Sequence, residues 1–484
     1  MTTRLAVVST SPFTDRILRC LASDPEGPEV AFHVGRRHSD IMTASLSRLQ
    51  PIGARAGTLT DEPYFAGAAM VSPQGHHQDL WTFVQQFLRR DPAFANNPHR
   101  LANALDYADY FHILSDMMAR ELRSRNVDTV LFFNIPHLAY DTVLYQQARA
   151  LGLRTLILTQ SLFQARFMSL RRIEDLGRLP PCADVSSPAL GISGEEALDL
   201  FYMPDTQTEA LGAALNAKDW LNLLAYIFLK EPGLLRRPAR VGALARRMTE
   251  LKCRFPSWRD PFARFFHVSQ FDYFETLAEF EPVEADVTRP YVYAPLQMQP
   301  EMTTSALGGR YHDQVLALEA LSKILPPDVA IYVKENPKQG AFMRGPLMWH
   351  RLRRIRNLTV LPSGADTNEL IKNALCVATV TGTAGWEAIR RGVPAVVFGQ
   401  AWYGDFPGVT RYREDVAFDE IVAPFDHSRL EAVAGYFVSR LHLGVVDRHY
   451  ARCAPTAGAG TEPTHASSAI RDLLLGRIEP TFPG

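Results

Sequence analysis

The chain has 484 residues, 46% of them hydrophobic and 21% charged, and a net charge of −1. That length suits two or three domains with sizeable cores, and so even a charge balance excludes the global positive field of a nucleic-acid binder. The five cysteines, Cys20, Cys182, Cys253, Cys376 and Cys453, are scattered without a CxxC pair, which argues for a reducing compartment and against a structural zinc.

The chain opens with a strand pattern directly after Met1-Thr2-Thr3, so no signal peptide is expected. No apolar run is long enough to span a bilayer. The expected location is cytoplasmic, with room for peripheral attachment at the inner membrane.

Leu5 to Thr10 reads as a first strand, Ser11 to Thr14 as a turn, Asp15 to Ala22 as a helix and Val30 to Val34 as a second strand. This opens like a nucleotide fold without a GxGxxG turn. Residues 51 to 125 read as mostly helical. Val127 to Phe133 is a buried strand, Tyr140 to Leu151 a helix closed by Gly152, and Thr155 to Leu158 the next strand, a βαβ unit.

From Gly177 to Phe280 helical patterns dominate, with Trp220, Tyr226 and Phe228 followed by Lys230, Arg236, Arg237, Arg240, Arg246 and Arg247. A solvated helix face accounts for the basic residues. The functional alternative is contact with an anionic lipid-linked acceptor or the membrane surface. The acidic, proline-bearing stretch Glu281 to Pro290 reads as a linker.

The second half is more regular. Strands are expected over Tyr291–Leu296, Val329–Val333, Leu358–Leu361, Leu375–Val380 and Pro394–Gly399. Helices are expected over Tyr311–Leu325, after the cap at Asp366 with Glu369 as its reciprocal partner, over the short stretch Ala388–Arg391 closed by Gly392, and over Ser428–Leu441. The expected organisation is an acceptor-side α/β domain over 1–285 with a helical insertion at about 177–280, a nucleotide-sugar-binding α/β domain over 286–450, and a tail over 451–484. Two such domains and a linker suggest a GT-B-like fold, two Rossmann-like domains facing across a cleft.

Candidate chemistry clusters just after strands, where α/β sheets present ligands. Lys334-Glu335-Asn336-Pro337-Lys338 leaves one strand, and a lysine there can reach a phosphate. Thr381-Gly382-Thr383 joins a strand to a helix. Its glycine admits close backbone approach, its hydroxyls can donate, and the helix amino end carries partial positive charge. Glu387, one turn on, can take a ribose diol. Gln297 and Gln299, in the loop Gln297 to Thr304, and Ser363, after the 358–361 strand, complete the donor-side set. On the other half, Asn134, His137 and Asp141 follow a buried strand. Asp141 can serve as nucleophile or base and His137 as acid or charge stabiliser, with Asp15 and Glu174 as weaker rivals. Each also has a plainer reading: solvated lysines, a capped turn, a helix-terminal carboxylate.

The order and spacing of the motifs NIPHLAYD, PLQMQPEMTTSALGGRYHDQ, YVKENPKQ and TVTGTAGWEAIRRGVPAVVFGQAWY resemble the bacterial capsule polysaccharide biosynthesis family, which includes β-Kdo transferases. The resemblance covers 291–403 well and 127–168 in part. One departure is Asn336, where the resemblance leads one to expect His before Pro337. The resemblance implies a retaining transferase using a CMP-activated sugar, Kdo foremost, and a glycan or lipid-linked acceptor. Phosphate would lie on Lys334 and Thr381 to Thr383, ribose near Glu387, and Asp141 would face the anomeric carbon. CMP leaves as a phosphate monoester, so no metal and no further cofactor is expected. The competing readings are a CMP-sialate or CDP-polyol-phosphate transferase, a nucleotide-sugar epimerase, and a non-catalytic capsule assembly protein.

Overall fold

The computed structural model describes residues 2–9, 11–35, 45–47, 80–85, 104–181, 190–192, 194, 217–229, 232–239, 241–242, 245, 283–299, 301–336, 339, 344, 346–362, 364–448, 450–453 and 462–484. Much of the stretch expected to be helical over 51–125 lies outside this set. Its described parts, 80–85 and 104–124, are helical.

Two sheets organise the molecule. The first contains β1 (Arg4–Ser9), β2 (Glu29–Gly35), β3 (Ser45–Ser47), β4 (Thr129–Phe132), β5 (Arg154–Gln160) and β6 (Arg166–Leu170). The second contains β7 (Tyr291–Pro295), β8 (Ala330–Lys334), β9 (Leu358–Leu361), β10 (Cys376–Thr379), β11 (Ala395–Val397) and β12 (Val409–Arg411). A last strand, β13 (His442–Leu443), returns to the first sheet and pairs antiparallel with β6. The orders are β13-β6-β5-β4-β1-β2-β3 and β12-β11-β10-β7-β8-β9. Counted within each domain, both sheets therefore run 3-2-1-4-5-6, the Rossmann order. The second sheet is parallel throughout. In the first, β6 runs antiparallel to β5. The α/β, GT-B-like fold expected from the sequence is the fold observed.

The strands look as parallel strands must when helices cover both faces. Every residue of β4, β8, β10 and β11 is buried. The first helix, Pro12–Ser23, begins three residues before the sequence reading places it. Ser11 caps it by accepting from the Thr14 amide at 3.2 Å, and Pro12 takes the first turn, where its missing N–H costs nothing. The helix expected from Tyr311 starts instead at Gln314. Asp313 accepts from the amides of Val315 and Leu316, and a 3-10 turn, Gly309–His312, precedes it.

The end of the chain covers the beginning. Helix Pro463–Leu474 packs on helix Pro12–Ser23, and Ala466, Ile470, Leu473 and Leu474 share one apolar cluster with Ile17, Leu18 and Leu21. Arg471 reaches Asp24 at 2.6 Å and Arg477 reaches Glu26 at 2.5 Å.

An aromatic joint links the halves. Trp402 stacks on Phe437 with centroids 5.2 Å apart, Phe163 meets both edge-on, and Phe437 stacks on Phe482. Beside it, Arg411 donates to the Gly177 carbonyl at 2.8 Å and the Leu179 amide donates to Asp405 at 3.0 Å. Gly177 has φ of +75°, and a Cβ there would run into the Ala401 carbonyl, so glycine is required by both backbone and contact.

Candidate functional site

The Rossmann order fixes where to look. Ligands of such sheets bind outside the carboxyl ends of the strands, where the strand order reverses. In the second sheet that point lies between β7 and β10, which pair directly. Gln297 follows β7 and Thr379–Gly382 ends β10, so two of the loops singled out in the sequence meet at the switch point.

They meet through Gln297. Its side chain is 8% exposed, and its amide lies 2.5 Å from the Thr379 hydroxyl. With the amide oxygen facing the turn, it also accepts from the backbone amides of Gly382 at 2.7 Å, Thr381 at 3.0 Å and Val380 at 3.2 Å. Gln297, placed in the donor-side set from the sequence, fills the hollow of the turn. This gives Gly382 its reason: a Cβ there would come within 2.7 Å of the Gln297 amide and 2.9 Å of the Thr379 hydroxyl. The Thr381 hydroxyl donates to the Thr303 carbonyl at 2.7 Å. Thr303 lies in a π-helical turn, Met302–Ala306, capped by Glu301, a backbone form often found at functional sites. The two most distinctive motif blocks are therefore hydrogen-bonded to each other.

Glycines make the rest of the contact. A Cβ on Gly385 would strike the hydroxyl of Tyr403, which donates to the Gly382 carbonyl. A Cβ on Gly399 would lie 2.5 Å from the Leu307 carbonyl and 2.7 Å from the Thr381 methyl. Gly399 thus packs backbone against backbone, and Gly385 packs against the Tyr403 ring.

Gln299 belongs to a buried polar network that the sequence reading missed. Gln314 pairs reciprocally with the Gln297 backbone, at 2.7 and 2.9 Å, and Gln339 does the same for Gln299, at 2.8 and 3.0 Å. Arg344 donates to Glu335 at 2.8 Å, to the Gln297 carbonyl at 2.8 Å and to the Gln299 side chain at 3.0 Å. The Arg344 and Glu335 side chains are 0% and 2% exposed. Only a lone arginine in an irregular stretch and glutamines beside apolar runs hinted at this in the sequence.

Lys334 ends β8, the next strand along. Its ammonium donates to the Ala365 carbonyl at 2.8 Å and the Thr367 hydroxyl at 2.6 Å. It also lies near enough to Glu387 to favour that carboxylate. Burial dominates at Glu387 and pushes its pKa up, opposed by Arg391, Arg390 and Lys334. Thr383 opens helix Thr383–Arg390 and is half-buried. The Asn336 amide donates to Glu335 at 2.8 Å. Lys338 and Ser363 lie outside the described residues.

In the first sheet the switch point lies between β1 and β4, and the Asn134–His137 loop leaves β4 there. Asn134 accepts from the Ile135 amide at 2.9 Å and the Thr159 hydroxyl at 3.2 Å. His137 Nδ1 lies 2.6 Å from the Ile135 carbonyl, so Nδ1 carries the proton. Ala139 holds φ of +68°, an uncommon conformation that turns the chain sharply into helix Tyr140–Ala150. Asp141 accepts from the amides of Leu138 at 2.7 Å and His137 at 3.2 Å. Burial pushes its pKa up, while His137 and those amides oppose the shift. At the end of β1 the Ser9 hydroxyl donates at 2.6 Å to Asp15, in the first turn of helix Pro12–Ser23. Glu174 is exposed on a one-turn 3-10 helix. Ala139 and Tyr140 share one apolar cluster with Trp386 and Tyr403, so the loop starts of both domains pack into common ground.

The profile of the family described as capsule polysaccharide biosynthesis protein matches residues 269–436, about a third of the chain, and spans the whole second sheet. No curated protein sequence matches. Among solved structures, the chain is similar to the Thermosulfurimonas dismutans KpsC beta Kdo 2,7 transferase, at 11% identity and a TM-score of 0.30, covering 84% of this chain and 98% of that one. The beta Kdo 2,4 transferase of the same KpsC is similar at 14% identity and a TM-score of 0.28, covering 64% and 79%. A UDP-GlcNAc 2-epimerase from Methanocaldococcus jannaschii is similar at 11% identity and a TM-score of 0.23, covering 98% and 100%. The segment that carries the switch-point loops is thus the part of the chain that matches the capsule polysaccharide biosynthesis protein family.

Proposed function

We propose that this protein is a glycosyltransferase that moves a sugar, Kdo foremost, from a CMP-activated donor to a glycan or lipid-linked acceptor. The observation that carries the reading lies inside the family-matched region. The carboxyl ends of β7, β8 and β10 bring Gln297, Lys334 and the Thr381–Thr383 turn to one end of the sheet, with Glu387 one turn beyond. The CMP phosphate would take the helix amino end at Thr383 and the Lys334 ammonium, and Glu387 would take the ribose diol.

In the first step the Asp141 carboxylate attacks the anomeric carbon. The bond from that carbon to the phosphate oxygen breaks, and CMP leaves with the electron pair. In the second step the acceptor hydroxyl displaces Asp141, and its proton passes to His137, whose Nε2 is free of the proton when Nδ1 holds it. Two inversions give net retention. The test is to incubate the protein with CMP-Kdo, with and without a capsular glycolipid acceptor, and to follow CMP release and acceptor mass. Acceptor-dependent CMP release, lost in Asp141→Asn, supports the reading. Conversion of donor alone to another sugar nucleotide, or turnover only with a UDP-sugar, overturns it.

A further inference from the structure

The inserted helix Ala217–Leu229 shows the solvent an unusual face. Trp220, Leu221, Leu224 and Phe228 are 45%, 67%, 50% and 62% exposed, and Ala217 is exposed beside them. At about 100° per residue these positions fall in one arc of about 100°. Ile227, about 20° beyond Trp220 on the same wheel, is buried and marks the edge where the exposed arc ends. A 3-10 turn, Pro232–Arg236, follows, with Leu234 buried and Leu235 53% exposed. Arg236, the last residue of the turn, and Arg237 after it stand exposed. Scattered exposed hydrophobics are ordinary, but a contiguous set of large ones marks an interaction surface.

Charge decides the partner. Residues 217–247 hold seven basic side chains (Lys218, Lys230, Arg236, Arg237, Arg240, Arg246, Arg247) against two acidic ones (Asp219, Glu231), a net of +5 in a chain that is −1 overall. An apolar stripe with a tryptophan, bordered by a cationic stretch, is the composition of a helix that lies in the headgroup region of an anionic bilayer. Among the described residues no helix is long and apolar enough to cross a membrane, so the contact is peripheral.

We propose that helix Ala217–Leu229 and the turn after it dock this protein on an anionic lipid surface. The four large apolar side chains enter the interface and Arg236 and Arg237 meet the lipid phosphates. The proposal does not depend on the transferase reading, because it concerns binding to lipid rather than turnover.

The test is co-sedimentation of the full chain with vesicles of phosphatidylcholine alone and of phosphatidylcholine with phosphatidylglycerol. Sedimentation is expected with the anionic vesicles, falling with added salt. Arg236→Glu with Arg237→Glu should lower the partition coefficient by at least about tenfold, given roughly a tenfold change for one or two basic residues. Leu221→Ser, Leu224→Ser and Phe228→Ser together should abolish it while the thermal melt stays within a few degrees of wild type. Equal sedimentation of either variant and wild type, or none by wild type, overturns the proposal. So does a wild-type dimer that the serine variant converts to monomer without any vesicle binding, since a second copy would then cover the face.

Discussion

The side-chain amide of Gln297 lies 2.5 Å from the Thr379 hydroxyl and so ties together β7 and β10, the strands between which the second sheet reverses its order. The same side chain satisfies the amides of Val380, Thr381 and Gly382. Gln297→Ala should deprive the Val380 and Thr381 amides of this acceptor, at a cost of about 1–3 kcal/mol, and should speed hydrogen exchange at 380 and 381, while the Gly382 amide keeps the Thr379 hydroxyl at 3.0 Å. Gln297→Glu should keep the hydrogen bonds but place a full negative charge beside the candidate phosphate seat. It should weaken nucleotide binding more than it weakens the fold, as read by calorimetry against urea denaturation.

Arg344 and Glu335 form an ion pair that water does not reach. Removing one partner strands the other, so Arg344→Met should destabilise the protein by about 3–5 kcal/mol. Adding Glu335→Gln to that variant should restore part of the loss. Urea denaturation of the two single variants and the double variant gives the coupling, and additive losses would show that the pair is not the source of the cost.

Gly385 faces the ring and hydroxyl of Tyr403. Gly385→Ala should therefore cost about 1–3 kcal/mol through overpacking. Tyr403→Phe removes the hydroxyl that a new methyl would strike, together with its bond to the Gly382 carbonyl. The double variant should lose less than the sum of the two single losses, measured as a double-mutant cycle.

His442 sits at the edge of the first sheet, with Nε2 2.6 Å from the Ser169 hydroxyl. Burial, assisted by Arg440, pushes its pKa down from 6.5 to about 4. The folded state thus holds the ring neutral where the unfolded chain would protonate it. Its contribution is complete above the unfolded value of 6.5 and is lost as pH falls from there towards about 4. The full loss is about 3 kcal/mol. Urea midpoints at about pH 7 and about pH 5 should differ by less in His442→Asn than in wild type.

Much of the fold was legible because parallel strands buried on both faces read as continuous apolar runs. The strands at 127–133, 329–333 and 375–380 are of this kind. The short strands β6, β12 and β13 were not legible: they are set by pairing with distant partners, as when His442 and Leu443 align with Phe167 and Arg166. At the site, sequence order after each strand placed Gln297, Lys334 and Thr381 at one end of the sheet. What each side chain does there depended on contacts far along the chain. Gln297 turned inward to cap the turn, Lys334 bound Ala365 and Thr367, and Arg344 knitted two loops together. No local pattern encodes a partner at such a distance. Gly382 was read as admitting close backbone approach; the space a Cβ would fill there is held by Gln297, and that at Gly385 by Tyr403.

The central claim is that a cytidine nucleotide binds at the switch point of the second sheet. The most direct measurement is a thermal-shift series with CMP, CDP, UDP and GDP on wild type and on Lys334→Met, with the ligand-free melting temperature of each as its own baseline. A ligand at about 100 times its dissociation constant stabilises the fold by about 2.7 kcal/mol. A clear upward shift of the wild type is expected with CMP, with no comparable shift for UDP or GDP and loss of the CMP shift in Lys334→Met. A CMP shift that survives in Lys334→Met, or a wild type stabilised by UDP and not by CMP, would contradict that claim.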